Sequence, residues 1–521
     1  MSASTDDKYK HKYLIAIAVT MAAMLELIDT SIVNVAIPHM MGNLGATLDE
    51  ISWVSVGYII ANVIVIPMSS WLSAYFGRRR YLTASILLFV AASFFCGAST
   101  TLLQLVVWRV IQGIGGGALL STAQSTLWEA FPPSEVGIGQ AMFGVGVMVG
   151  PTLGPTLGGF IVDNWNWPWI FYINLPLGLA AAALVWTYVT DSEHQERAEK
   201  VDWLGISLLT VAVGSLQWML ERGERYDWFD SQFVITLGVV SAVSFIWLVW
   251  HELRTDEPVI DFHLLKNRQL ATGVLMGAVL GFALFGSVFV LPVFLQALHG
   301  FTANQTGMVI LPGAIASAVT MAVMGRRLRM VPDGRPVILL GASLFFVCMY
   351  MLAALTFDSG KGDLFWPLII RGVALGMMFI PLNAIALAEL APRDMAAGTG
   401  LFNLMRQLGG SIGIAVMATL LSHLTKAKKA VLADHMVATA PDVQARLEGL
   451  THALMAKGTS LSVAHQQALM IMDRMVGAQA SVLAFSRIYW ISGLVLLGSM
   501  PLMIFWHNGR PRGMVVRDGG H

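Results

Sequence analysis

The stretch "LELIDTSIVNVAIP", Leu25 to Pro38, sets Glu26 and Asp29 three residues apart in a run of otherwise mostly apolar side chains. A carboxylate at the centre of a lipid-spanning helix costs roughly 2.5 to 3.5 kcal/mol on insertion scales, so two of them call for a use. At about 100° per residue, Glu26, Asp29, Thr30 and Asn34 fall within about 140° of one another. Leu25, Ile28, Ile32 and Val35 take the opposite side. A polar stripe backed by aliphatics faces a bundle interior or a water-filled cavity. A carboxyl group taken out of water and set near a second one holds its proton more tightly, and can load and release it. The plainer alternative is that both acids only pair with a buried arginine to fix helix packing. Against it, buried ion pairs are poor stabilisers in themselves.

A second group lies in "LVVWRVIQGIGGGAL". Arg109 and Gln112 share a helix face, while Gly113, Gly115, Gly116 and Gly117 admit a neighbouring backbone. Arg109 cannot be neutralised in practice, so it needs an acceptor: the acids at 26 and 29, or helix-end carbonyls. In "GVGVMVGPTLGPTLGGFIVD", Gly146, Gly150, Gly154 and Gly158 recur every four residues, followed by Gly159. That spacing makes a flat strip for close packing, and Pro151 and Pro155 are expected to bend the helix, as at a moving seam. Arg371 in "IIRGVALGMM" sits in its segment much as Arg109 does in its own. Asn403 and Arg406 in "LFNLMRQLGG", with Asn34, Gln112 and Arg371, complete the expected cavity-lining, substrate-binding set.

These residues need helices in a membrane to position them. The 521-residue chain is 56% hydrophobic and 12% charged, whereas soluble domains run near 25% charged. Its 32 basic and 32 acidic residues cancel, so nothing points to nucleic acid. Spans of ~20 apolar residues are expected at 14–37, 52–74, 81–99, 102–127, 138–162, 169–189, 203–220, 231–250, 271–298, 305–325, 336–356, 364–390, 398–421 and 484–506. The polar, basic start "MSASTDDKYKHKY" is followed by a segment too long for a signal-peptide core, so that segment is expected to stay as a membrane helix. With the N-terminus in the cytoplasm, nineteen basic residues fall in cytoplasmic segments, among them Lys8, Arg197, Lys200, Arg329, Arg510, Arg512 and Arg517. Three (Arg222, Arg225 and Lys361) fall in the short outer loops. That bias places both termini in the cytoplasm. Cys96 and Cys348 lie in apolar segments and read as packing residues. No phosphate-binding loop, metal-ligand cluster or nucleophile–base motif stands out, so neither an enzyme nor a cofactor is expected.

The chain also reads as duplicated. Pro38 and Trp53, and Pro292 and Gly307, are each 15 residues apart, and basic turns "GRRR" and "GRRLRMVPDGR" follow corresponding segments. The expectation is an all-α membrane bundle of two six-helix halves, 1–190 and 265–521, with a 191–264 linker carrying two inserted helices. The one long outer loop, 422–483, reads as two amphipathic helices.

"IDTSIVNVAIP", "LVVWRVIQGIGGG", "GPTLGPTLGGF" and "NWNWPWIFYINLPLG", in that order, resemble the fourteen-helix drug/proton antiporters of the major facilitator superfamily, nearest the EmrB/QacA-type branch. "LNAIALAELAPRDMAAGTGLFNLMRQLGGSIGIAV" and "QASVLAFSRIYWISG" extend the resemblance over nearly the whole chain. It implies that Asp29 is a functional aspartate, that Asp29, Glu26 and Arg109 couple protons, and that the glycine–proline segment, Gly146 to Gly159 with Pro155, is the antiporter motif. The cytoplasmic loop motif departs from the family pattern. "SWLSAYFGRRR" keeps Gly77, Arg78, Arg79 and Arg80 but has Ala74 where the family has an aspartate, so its charge lock is weakened or made differently.

The resemblance implies a proton-coupled exporter of lipophilic drugs or toxic compounds, working by alternating access in the bacterial inner membrane. It also implies a periplasmic membrane-fusion adaptor of the EmrA type and an outer-membrane channel of the TolC type. Two other readings stay open: an exporter dedicated to one host metabolite such as a siderophore or antibiotic, and a non-transporting receptor or scaffold. The many Met and aromatic residues suit an adaptable greasy surface, though most must simply be core or lipid-facing.

Overall fold

A computed structural model describes residues 9–132, 135–191, 201–327, 330, 333–437 and 440–506. Seven of the basic residues counted above (Lys8, Arg197, Lys200, Arg329, Arg510, Arg512 and Arg517) lie outside the described residues. Among the described residues, fourteen helices are long and apolar enough to cross a membrane. They are α1 (Lys12–Leu44), α2 (Trp53–Phe76), α3 (Arg78–Gly97), α4 (Leu102–Ala130), α5 (Val136–Asn164), α6 (Trp169–Tyr188, interrupted at Ile173) and α7 (Trp203–Arg222). Then come α8 (Gln232–Glu252), α9 (Arg268–His299), α10 (Ala303–Arg327), α11 (Arg335–Ala353), α12 (Lys361–Ala386), α13 (Met395–Asp434) and α14 (Leu461–Gly498). Among the described residues there is no strand.

Local chemistry sets several of the ends. The Thr101 hydroxyl accepts from the Gln104 amide at the start of α4, and Asn267 accepts from the Gln269 and Leu270 amides at the start of α9, filling donors a helix start leaves orphaned. Helices α1 and α9 each run through an internal proline, Pro38 and Pro292, and stop at a left-handed glycine, Gly45 (φ 62°) and Gly300 (φ 65°). That conformation suits a residue without a Cβ.

The packing repeats itself. Within the first six helices α1 packs on α4, α5 and α6, α2 on α4, and α3 on α4 and α6. Their counterparts pair the same way: α9 on α12, α13 and α14, α10 on α12, and α11 on α12 and α14. Between the two sets α2 meets α13, and α5 meets α10. We call the end at which α1 begins, where Lys12, Arg78 to Arg80, Arg326, Arg327, Arg335 and Arg393 lie, the basic end.

Helices α7 and α8 pair with each other, and α7 touches both α2 and α13. Arg222 at the far end of α7 donates to the Ser52 hydroxyl ahead of α2 (2.6 Å), and the Trp228 indole donates to Thr419 on α13 (2.9 Å). The outer face of α8 is bare: Val243, Ile246, Trp247 and Trp250 are exposed, as a lipid-facing surface is.

The outer segment differs from expectation in one respect. Among the described residues one separate helix forms there, Pro441–Met455; the stretch 464–483 is the first half of α14, and α13 continues to Asp434. Two long helices thus project past the apolar spans, joined by Lys429 and Asp473 (2.8 Å).

Candidate functional site

Asp29 is fully buried where α1, α4 and α6 meet. The glycines after Arg109 make that meeting possible. A Cβ on Gly117 would lie 2.5 Å from the Asn62 carbonyl oxygen of α2, and one on Gly115 would lie 2.8 Å from the Phe89 nitrogen of α3. With α4 drawn in, Arg109 (1% exposed) donates from Nη1 to Asp29 Oδ2 (2.5 Å) and to Gln112 Oε1 (2.8 Å), and from Nε to the Val54 carbonyl (3.0 Å). Its guanidinium also lies over the Tyr58 ring, 4.1 Å from the centroid. Asp29 Oδ1 accepts from Gln112 Nε2 and from Asn174 Nδ2, both at 3.0 Å. Asn174 in turn donates to Ser93, whose hydroxyl donates to the Phe171 carbonyl.

Glu26, one turn earlier, is 5% exposed and belongs to a different cluster. Its Oε1 accepts from Asn62 Nδ2 of α2 (3.0 Å), and its Oε2 has no hydrogen-bond partner. Arg406 of α13, 2% exposed, is the opposite charge that faces it across the seam, and its Nη1 is likewise unpartnered. Along α1 the polar stripe becomes progressively more exposed away from the basic end: Glu26 is buried, Thr30 half-buried, Asn34 exposed. Asn34 donates to the Thr30 carbonyl (3.5 Å) and accepts from Ser55 (3.3 Å).

Toward the basic end the seam is closed by amides. Asn403 Nδ2 of α13 donates to Gln124 Oε1 of α4 (2.7 Å), Gln124 Nε2 donates to Asn383 Oδ1 of α12 (2.8 Å), and Gln140 of α5 sits beside them (3.5 Å). All four are buried. Asn403 is thus a seam residue, and Gln112 is part of the Asp29 cluster.

Arg371 lies elsewhere. It is buried on α12 beside Cys348 and Tyr489, and its Nη1 and the Tyr489 hydroxyl have no partner. Aligning Pro292 with Pro38 puts Ala283, buried, at the position of Asp29, so the second set keeps the guanidinium and lacks its carboxylate.

The glycine strip of α5 packs on α1: Gly146 against Thr20 and Met24, Gly150 against Leu27, Gly154 against Ser31, and Gly158 against Ile32. Gly159 turns to Asn304 of α10, and a Cβ on Gly137 would lie 2.5 Å from the Gly325 carbonyl oxygen. Helix α5 runs unbroken through Pro151 and Pro155. In the loop motif, Gly77 has φ 85° and buried Arg78 pairs with Glu129 (2.6 Å). The Arg79 amide donates to Asp191 (2.9 Å), its guanidinium lies over Trp186, and Arg80 is exposed. Those contacts all stay within the first helix set.

Asn62, Ser93, Asn174, Gln124, Gln140 and Asn383 were not singled out by sequence reasoning. The signal was there: an amide or hydroxyl inside an apolar span has to find a partner.

The profile described as Major Facilitator Superfamily matches residues 19–414. The multidrug export protein EmrB of Escherichia coli (strain K12) is 34% identical over 515 residues, covering 97% of each chain. The fatty acid resistance protein FarB of Neisseria gonorrhoeae is 30% identical over 490 residues, 94% of this chain and 95% of that one. Among solved structures, the human organic anion transporter MFSD10 superposes with a TM-score of 0.59 at 12% identity, over 93% of this chain and 99% of that one, and shares the fold.

Proposed function

The chain belongs to the major facilitator superfamily, and from that premise we propose that it exports lipophilic small molecules in exchange for protons, by alternating access. It is a multi-pass membrane protein. The observation that carries the proposal is two buried carboxylates on α1, Glu26 facing the seam between two helix sets of matching architecture and Asp29 inside the first set, with the α1 polar stripe exposed toward one end and amides closing the seam at the other. Charges held inside a membrane bundle mark ion and proton pathways. The names of the two relatives, multidrug export and fatty acid resistance, support a greasy cargo.

On this reading residues 1–190 and 265–521 rock as two bodies, with 191–264 riding between them. The basic end faces the cytoplasm, both termini are inside, and the membrane is the bacterial inner membrane. The far-end projection of α13 and α14 docks a periplasmic adaptor of the EmrA type, which leads to a TolC-type channel.

The test is proteoliposomes loaded with a pH-reporting dye and given Hoechst 33342 as the lipophilic probe. Probe movement should be driven by an imposed pH gradient and should carry protons the opposite way, with neither seen in protein-free liposomes. Probe movement indifferent to the gradient would overturn proton coupling, and no movement of this or any of a panel of lipophilic compounds would overturn export.

A further inference from the structure

The two acids of α1 are only three residues apart, yet their surroundings make them chemically unlike. Both oxygens of Asp29 are occupied: Oδ2 by the Arg109 guanidinium, Oδ1 by the amides of Gln112 and Asn174. Ser93 holds Asn174, and Arg109 and Cys96 both donate to Gln112. A proton arriving on that carboxylate would cancel the charge that Arg109 pairs with and leave the guanidinium buried without its counter-charge. Groups buried without their partner are unfavourable. Asp29 is the bonded counter-charge of Arg109.

Glu26 has the opposite construction. One oxygen is held by Asn62; the carboxylate lies near the Leu120 backbone of α4, but its other oxygen makes no well-formed hydrogen bond. The charged and titratable groups facing it are Arg406 from α13, Tyr58 from α2 and Asp29 on its own helix. Arg406 attracts it from across the seam without bonding to it, and Nη1 of Arg406 is left without an acceptor too. Two buried opposite charges, each with an unused bonding site, make an arrangement that has not collapsed into an ion pair. On one side the α1 polar stripe runs through half-buried Thr30 to exposed Asn34, about 12 Å of helix rise from Glu26. The Gln124–Asn383–Asn403 amides close the seam below.

We propose that Glu26, and not Asp29, carries the exchanged proton, with Arg406 as the charge that responds to it. The proposal rests on the proton-coupled reading above. From the far end, Oε2 takes a proton from a hydronium ion, forming one O–H bond as the hydronium loses one. The neutral carboxyl no longer attracts Arg406, so the two helix sets are freed to rearrange. When the basic end opens, that O–H bond breaks and water takes the proton. The restored carboxylate then draws Arg406 back toward it.

The experiment uses the full chain, with two readouts. In proteoliposomes carrying Hoechst 33342, Glu26→Gln should lose gradient-driven probe movement to the level of protein-free liposomes while retaining measurable exchange without a gradient. Glu26→Asp should restore part of the driven movement. In infrared difference spectra between acid and alkaline pH, the purified protein should show a carboxylic-acid C=O stretch. Glu26→Gln should remove one component of that absorption, beyond what the other acids contribute, and the component should persist when Asp29→Asn is combined with Arg109→Gln. If wild-type movement ignores the gradient, the proton-coupled reading itself falls. If wild type is gradient-driven but Glu26→Gln is driven equally well, the assignment to Glu26 falls and the coupling stands. A C=O component that survives in Glu26→Gln and vanishes in the double variant would return the role to Asp29.

Discussion

Replacing Asp29 by asparagine removes the carboxylate that contacts Arg109 and leaves the guanidinium buried. What remains to it is the Val54 carbonyl, the Gln112 amide oxygen and the Tyr58 face. Those contacts exist in the wild type as well, so they do not offset the loss. The new amide group also points a donor at donors, since Arg109, Gln112 and Asn174 all donate to this position. Breaking one side of a buried pair is unfavourable by roughly 3 to 5 kcal/mol. At about 2 to 4 °C per kcal/mol for a unit the size of the first six helices, the melting temperature should fall by roughly 6 to 20 °C. The 16 tryptophans allow this to be followed by intrinsic fluorescence during heating of the detergent-purified protein. Adding Arg109→Gln to Asp29→Asn should recover most of the loss, because no buried charge is then left uncompensated. A single variant that melts with the wild type, or a double variant no better than the single, would refute the locked-pair account.

Gln124→Leu leaves Asn403 Nδ2 and Asn383 Oδ1 without their seam partner, a change of about 1 to 3 kcal/mol felt only while the basic end is shut. Opening at that end should rise by about 5- to 150-fold, read as maleimide labelling of Ala396→Cys in a chain lacking Cys96 and Cys348; an unchanged labelling rate would count against the amide seal. Arg371→Gln should raise the melting temperature, since it removes a buried guanidinium that lacks a carboxylate, whereas Arg109→Gln should lower it. Shifts of the same sign would contradict the difference drawn between the two arginines. Because Lys429 and Asp473 touch, residues 430–472 can be replaced by a short Gly/Ser linker. Probe movement in proteoliposomes should survive that change, while adaptor co-purification and drug resistance in cells should be lost; retention of both would make the projection a cap.

Much of the fold was legible because hydropathy reports bilayer thickness, and the spans expected at 52–74 and 203–220 match α2 and α7 to within two residues. It misjudged α1, α13 and α14, which continue well beyond their apolar stretches. Backbone hydrogen bonding carries a helix on into water wherever no breaker intervenes, and a loss of hydropathy is not a breaker. At the site, an acceptor for Arg109 among the two α1 acids could be expected, since so few charges in these spans can serve each other. Spacing did not choose Asp29 over Glu26 or over helix-end carbonyls. The assignment of Glu26 to Arg406, of Asn174 to Asp29 and of Gln124 to Asn403 could not be read. Those pairs join helices 145 to 380 residues apart, and their register depends on glycine contacts that spacing alone does not orient.

The turn between α7 and α8 works as a leash of fixed length. Arg222 holds Ser52 beside one helix set, and Trp228, six residues on, holds Thr419 in the other. Six residues pulled straight reach roughly 20 Å. While both hydrogen bonds last, that length plus the two side chains caps how wide the far mouth can gape, however large the cargo. Any wider excursion must either let go of one anchor or drag the α7–α8 hairpin sideways through lipid. The inserted pair therefore gives the surrounding bilayer a mechanical hold on the stroke, one that a plain twelve-helix bundle would lack.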